Sequence, residues 1–177
     1  MTDGSPTRAL NVVRHIEGMC NFIEDPAIKT AVEQAVPCSM PRTPGALGFD
    51  VPLWVGLGIV GLWAALDAFA DRAGLTKSKC PTCGRRSCIW TRFAPHPLEG
   101  NKGRSLEELE DFRHLYAHNY AGEADAGYFG RPRHILARGT TTALTCGVQF
   151  SGDRLSLDLP QLRYYANTVK SVLARLP

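Results

Sequence analysis

Sixteen consecutive residues, Val51 through Leu66, carry no charge: VPLWVGLGIVGLWAAL. A stretch this apolar has to be enclosed, by lipid or by protein. A membrane-spanning helix needs about 20 predominantly apolar residues, and here Asp67 and Asp71 interrupt first. Proline and glycine at positions 52, 56, 58 and 61 dilute the run further. The run therefore reads as the buried helix of a bundle, roughly residues 51–73, with Asp50 as its cap and Gly74 as its stop; no membrane partner is expected. One helix buried on most sides demands several amphipathic helices around it, and that demand governs what the remaining residues must form.

The flanking segments meet it. Leu10, Val13, Ile16, Cys20 and Ile23 recur at spacings of three and four and predict a helix over residues 8–24, with Thr7 as its cap. Asp25-Pro26 is a cap followed by a proline suited to a first helical turn, so a second helix is expected over residues 26–36. Residues 37–48 are rich in proline and glycine and read as a loop. Ser105-x-x-Glu108 has the form of a capping box and opens a helix over residues 106–121, with Leu109, Phe112, Tyr116 and Tyr120 facing the core. Residues 141–150 and 154–159 change to a period of two, with Ser151-Gly152-Asp153 between them, and predict a β-hairpin within residues 140–159. Leu162, Tyr165, Ala166, Val169, Val172 and Leu173 form the inward stripe of a last helix over residues 160–176. The expected fold is mainly α: an antiparallel bundle of about five helices in one domain spanning residues 1–177.

Residues 75–103 show no periodicity, and a structureless loop of that length inside a compact domain needs something to organise it. Cys80-Pro81-Thr82-Cys83-Gly84 has the form of a zinc-knuckle turn, and Cys88 extends it to C-x2-C-x4-C. With His96 seven residues on, Cys80, Cys83, Cys88 and His96 make a Cys3His set for a structural zinc ion. Cys20, Cys38 and Cys146 are rivals for the fourth position, and free thiols or a redox pair are the alternative to metal. The N-terminus, MTDGSPTRAL, lacks the basic-then-apolar pattern of a signal peptide, so a reducing, cytoplasmic setting is expected, in which cysteines act as thiols or ligands before disulfides. Lys77, Lys79, Arg85, Arg86 and Arg92, with Trp90 and Phe93, offer charge and stacking surface for single-stranded RNA. Arg131, Arg133 and His134 could line the same path, and a net charge of +3 tolerates an RNA partner without demanding one.

Within the helix opened by Ser105 stands Arg113-His114-Leu115-Tyr116-Ala117-His118. An imidazole moves a proton near neutral pH, and a guanidinium holds a phosphate and steadies the charge that builds on it. His114 and His118 are also four apart, a spacing that can hold zinc, but leucine at 115 excludes a metalloprotease HExxH.

Arg113-His114-x3-His118 resembles the R-x4-6-H signature of the HEPN superfamily, in which a polar residue follows the arginine. The surrounding stretch LEELEDFRHLYAHNYAGEADAGYFGRPRHIL resembles bacterial members of that group. The resemblance covers about 35 residues and implies a metal-independent endoribonuclease of phage-defence or toxin–antitoxin type, with no catalytic metal. His118 would move the proton at the ribose 2′-hydroxyl or the leaving 5′-oxygen. Arg113 would bind the scissile phosphate, and His114 would orient the pair. The product would be a 2′,3′-cyclic phosphate. Residues five apart on an ideal helix are separated by about 140° around its axis. A homodimer with a composite active site would relieve that mismatch, and an antitoxin or activator protein is a further expected partner. The cysteine insertion lies outside the HEPN pattern. The competing class is a non-catalytic RNA- or protein-binding module with the same zinc knuckle.

Overall fold

The structure is a computed structural model that describes residues 6–28, 30, 51–84, 86, 88–96, 98–118, 134–135, 143–148 and 157–176, with backbone alone at 51–53 and 118. Among the described residues there are four long helices and one short one: α1 (Thr7–Glu24), α2 (Val51–Arg72), α3 (Ile89–Phe93), α4 (Lys102–His118) and α5 (Leu159–Leu173). The protein is mainly helical, as the sequence implies, and no strand occurs among the described residues. Residues 26–28 and 30 are helical too, and Asp25 caps them by accepting the Ala27 N–H at 2.8 Å.

The uncharged run becomes α2, which packs against α1, α4 and α5. Val55, Ile59, Leu62, Leu66 and Phe69 are almost completely buried. The window Trp54–Arg72 is long and apolar enough to cross a membrane, and half of it is buried within the structure. The glycines of α2 let its neighbours come close. A Cβ on Gly56 would lie 2.6 Å from the Tyr116 ring of α4, and one on Gly58 would lie 2.6 Å from Leu162 of α5. These positions exchange side-chain bulk for backbone proximity on two faces of one helix.

α1 inserts Ala9, Val13, Ile16, Cys20 and Ile23, while Leu10 is only half-buried. α5 begins with a capping box absent from the sequence reading: the Asp158 carboxylate accepts from the first turn, and Gln161 accepts the Asp158 N–H at 2.9 Å. Ion pairs Lys170–Glu17, at 3.1 Å, and Arg163–Glu24 tie α5 to α1 along their exposed edges.

The expected capping box at Ser105 does not form. α4 starts four residues earlier, at Lys102, and the Ser105 N–H already donates to the Asn101 carbonyl at 2.8 Å. Ser105 is thus a buried interior residue whose hydroxyl bonds Asn101 O and Thr145 Oγ1. Glu108 is buried as well. Its carboxylate accepts from Tyr165 OH at 2.8 Å, from the Thr145 N–H at 3.1 Å, and from the Thr145 hydroxyl. It serves as a tertiary anchor for residues 143–148, whose tight turn is closed by Leu144 N–H to Val148 O at 2.8 Å, with Gly147 at φ +84°. Residues 143–148 of the expected hairpin thus form a turn rather than a strand, residues 140–142 and 149–156 lie outside the described residues, and Leu159 belongs to α5.

Candidate metal centre

Residues 75–88 leave α2 and return toward its C-terminal end through α3. Arg92 fastens that return. Its guanidinium is almost fully buried and bonds Asp67 Oδ1 at 2.7 Å, Asp71 Oδ1 at 2.6 Å and the Leu75 carbonyl at 3.1 and 3.2 Å. Beside this clamp, Cys80, Cys83 and Cys88 form a small buried cluster of their own. The turn that carries the first two is closed by the Gly84 N–H bonding the Cys80 carbonyl at 2.9 Å, with Gly84 at φ +72°, a conformation natural to glycine.

The fourth member is His134. The ligand atoms of Cys80, Cys83, Cys88 and His134 lie within 4.8 Å of one another, and all four residues are buried. His134 Nε2 is 3.4 Å from Cys80 Sγ and 3.3 Å from Cys88 Sγ. Zinc–sulfur and zinc–nitrogen bonds of ordinary length at a tetrahedral angle place sulfur and nitrogen about 3.6 Å apart. The group therefore has the donor chemistry and very nearly the spacing of a four-coordinate site, and it can hold a metal ion.

The electrostatics favour ligation. Burial raises the Cys80 thiol, but the Cys83 N–H at 3.4 Å, the Trp90 indole N–H at 3.3 Å and His134 outweigh it, and its pKa falls to about 6. The thiolate is the form that binds metal. Burial lowers the His134 imidazole, but the Asp111 carboxylate on its Nδ1 raises it to about 9, which makes Nε2 a stronger donor. Cys88 is pushed well up, by burial first and then by the charges of Glu110, Cys80 and Cys83. A cation among the sulfurs would reverse that penalty.

The sequence-derived ligand set is thus corrected at one position. His96 is half-buried just after α3 and is not among the four; His134, separated from Cys88 by 46 residues, takes its place. The expected place of His134 on an RNA path is also overturned, because it is 1% exposed and both ring nitrogens face partners within the protein. Of the rival ligands, Cys20 is buried in α1, Cys146 Sγ lies 3.5 Å from Tyr165 OH and is not among the four, and Cys38 lies outside the described residues. The expected stacking surface is corrected too. Phe93 is buried, Trp90 turns its N–H to Cys80, and Arg92 is consumed by its clamp. Lys79 and Arg86 are exposed and Lys77 pairs with Asp71 at 3.7 Å, while Arg85, Arg131 and Arg133 lie outside the described residues.

The arginine–histidine motif sits on the same helix that supports the centre. Arg113 is half-buried, its guanidinium carbon 4.1 Å from the centroid of the Trp63 ring. The acidic neighbours are spent elsewhere: Glu110 accepts from Trp63 Nε1 at 2.6 Å and from the Ile89 N–H at 3.1 Å, and Asp111 holds His134. Among the described residues no carboxylate pairs with Arg113. His114 is half-buried, and His118 is the last described residue of α4, its side chain outside the description. Comparison with protein-family models, curated proteins and solved structures finds no match to this chain.

Proposed function

We propose that this chain is a HEPN-type endoribonuclease that cleaves RNA without a catalytic metal, and that a structural zinc ion staples its helices. The observation that carries the reading is the state of Arg113. It keeps its charge unneutralised by any described carboxylate, stacked on Trp63 and half open to solvent. A guanidinium so placed has donors to offer a phosphate, and the indole face holds it without cancelling its charge.

Cys80, Cys83, Cys88 and His134 would hold zinc, which supplies folding free energy in place of core residues that the Cys-rich segment lacks. Four protein ligands leave no coordination position for water or substrate, so the ion has no part in the chemistry. Arg113 binds the scissile phosphate and stabilises its added charge. His118 exchanges the proton with the ribose 2′-hydroxyl or the departing 5′-oxygen, and His114 orients the pair. The 2′-oxygen attacks phosphorus, the P–O5′ bond breaks, and a 2′,3′-cyclic phosphate remains. A homodimer would bring two copies of α4 to one cleft and offset the 140° or so between Arg113 and His118. Phage defence or toxin–antitoxin control in the cytoplasm, with an antitoxin or activator as partner, fits such an activity.

A binding module is the second reading. What favours it is the cation–π contact itself, which gives Arg113 a structural partner in Trp63. Zinc-loaded protein, assayed on RNA with no free divalent cation, separates the two. Wild type leaves cyclic phosphate ends and His118→Ala leaves none if the motif cuts. Equal products from both would overturn the assignment, and binding of RNA without any product would select the module. Metal analysis of reduced protein is expected to give about one zinc per chain; less than about half an equivalent would remove the zinc from this reading.

A further inference from the structure

Asp111 stands two residues before Arg113 and has no part in the chemistry assigned to the motif. Its carboxylate is buried, which is costly unless every acceptor position is matched. Here the donors come from one place. Oδ1 accepts from His134 Nδ1 at 2.7 Å, and Oδ2 accepts the backbone N–H groups of His134 at 2.8 Å and Ile135 at 2.9 Å. The backbone pair fixes where the ring is rooted, and the Nδ1 bond fixes how it is turned. With Nδ1 carrying its proton toward Asp111, Nε2 is the nitrogen that gives up its proton to a metal, and it lies against the sulfurs of Cys80 and Cys88.

We propose that Asp111 is the positioning residue of the metal centre: it selects the Nδ1–H tautomer of His134, aims Nε2 at the ion, and makes α4 the outer shell of the site. The proposal rests on the reading that the four-residue group binds zinc. Metal-bound imidazoles generally donate their second N–H to such a partner, and losing it weakens the metal. The neighbouring residue reinforces the arrangement. Glu110 holds the N–H of Ile89, directly after Cys88, so adjacent carboxylates of one helix grip both the cysteine arm and the histidine arm. Because Glu110 also holds Trp63, on which Arg113 lies, loading the metal fixes the part of α4 where the motif begins.

The test is a titration of the full-length, reduced, metal-free chain with Co²⁺, followed by its visible absorption and by competition with Zn²⁺. Wild type, Asp111→Asn and His134→Ala are compared. Asparagine keeps the size of aspartate, but with its oxygen on the two backbone N–H groups its NH2 would meet Nδ1 and oppose the Nδ1–H tautomer. Asp111→Asn is expected to retain a tetrahedral cobalt spectrum and to bind about 10- to 100-fold more weakly than wild type. His134→Ala should lose the nitrogen-ligated spectrum. Wild-type affinity in Asp111→Asn would overturn the proposal. Failure of the wild type itself to bind Co²⁺ or Zn²⁺ would overturn the zinc reading instead. Should Asp111→Asn not fold, long-range ¹H–¹⁵N spectra of zinc-loaded wild type decide. A protonated Nδ1 and a metal-shifted Nε2 at His134 are expected, and a protonated Nε2 would refute the role of Asp111.

Discussion

Replacing Tyr165 by phenylalanine removes one hydroxyl from a buried carboxylate and little else. The ring stays packed edge-on against Phe112, with centroids 5.5 Å apart. The single hydroxyl proton goes to Glu108 at 2.8 Å in preference to Cys146 Sγ at 3.5 Å, because the nearer acceptor is also the charged one. A hydrogen bond to a charged group contributes about 1.5–3 kcal/mol. Thr145 continues to donate to the same carboxylate from its N–H and its hydroxyl, and Arg104 lies 3.5 Å away. That remaining support places the expected loss in the lower part of the range, at about 2 kcal/mol. In a chain of this length it would lower Tm by about 4–8 °C. Urea unfolding should show a reduced midpoint at unchanged slope. Thr145→Val removes the other hydroxyl on the same acceptor, so the two substitutions combined should depart from additivity. A Tyr165→Phe variant within about 0.5 kcal/mol of wild type would refute the view that Glu108 is held as a tertiary anchor.

Gly56→Ala is expected to destabilise by about 1–3 kcal/mol in the same denaturation assay, since its methyl would meet the Tyr116 ring. Gly61→Ala, whose Cβ meets only Ile16 at 3.4 Å, should instead be neutral or stabilising, and matching losses in both variants would contradict the close-approach argument. Alkaline titration should expose Tyr116. Burial first, with Asp158 adding to it, raises its phenol from 10 to about 12 against the opposing bond with Leu157. The unfolded chain releases this proton first, so the contribution is complete below pH 10 and is lost as pH rises toward about 12; it amounts to about 2–3 kcal/mol. Tyr116→Phe should flatten that part of the stability profile, and an unchanged slope would refute the assignment.

The helices were legible because burial and periodicity are local. The stripes of α1 and α5 and the uncharged run of α2 each carry their own pattern, and the structure buries those faces. The three thiols of the candidate metal centre were legible for the same reason: C-x2-C-x4-C is a local spacing. His134 was not, because its partnership with the cysteines crosses 46 residues, and its neighbours Arg131 and Arg133 gave it the colour of a solvent-facing segment. The apolar pair Ile135-Leu136 directly after it was a signal of burial. So was Asp111, an acid on a helix face that otherwise faces the core. Ser105 and Glu108 misled because a capping box and a buried polar pair share one sequence form, and only tertiary contacts with Thr145 and Tyr165 distinguish them. Arg92 looked like an RNA contact for want of knowing that α3 brings it onto Asp67 and Asp71.

With a metal ion bound, Cys80, Cys83, Cys88 and His134 would do unequal work in restraining the chain. Arg92 already ties the two ends of the Cys-rich segment together through Leu75 and α2, so the three cysteines would close a span of eight residues inside a loop that is pinched at its base. His134 closes a span of 46 residues from Cys88. Loop-closure entropy grows as the logarithm of length, and the longer closure removes about 1.5 kcal/mol more chain freedom than the shorter one. The cysteines would therefore shape a pocket, whereas the histidine would act as a tether between parts of the chain far apart in sequence.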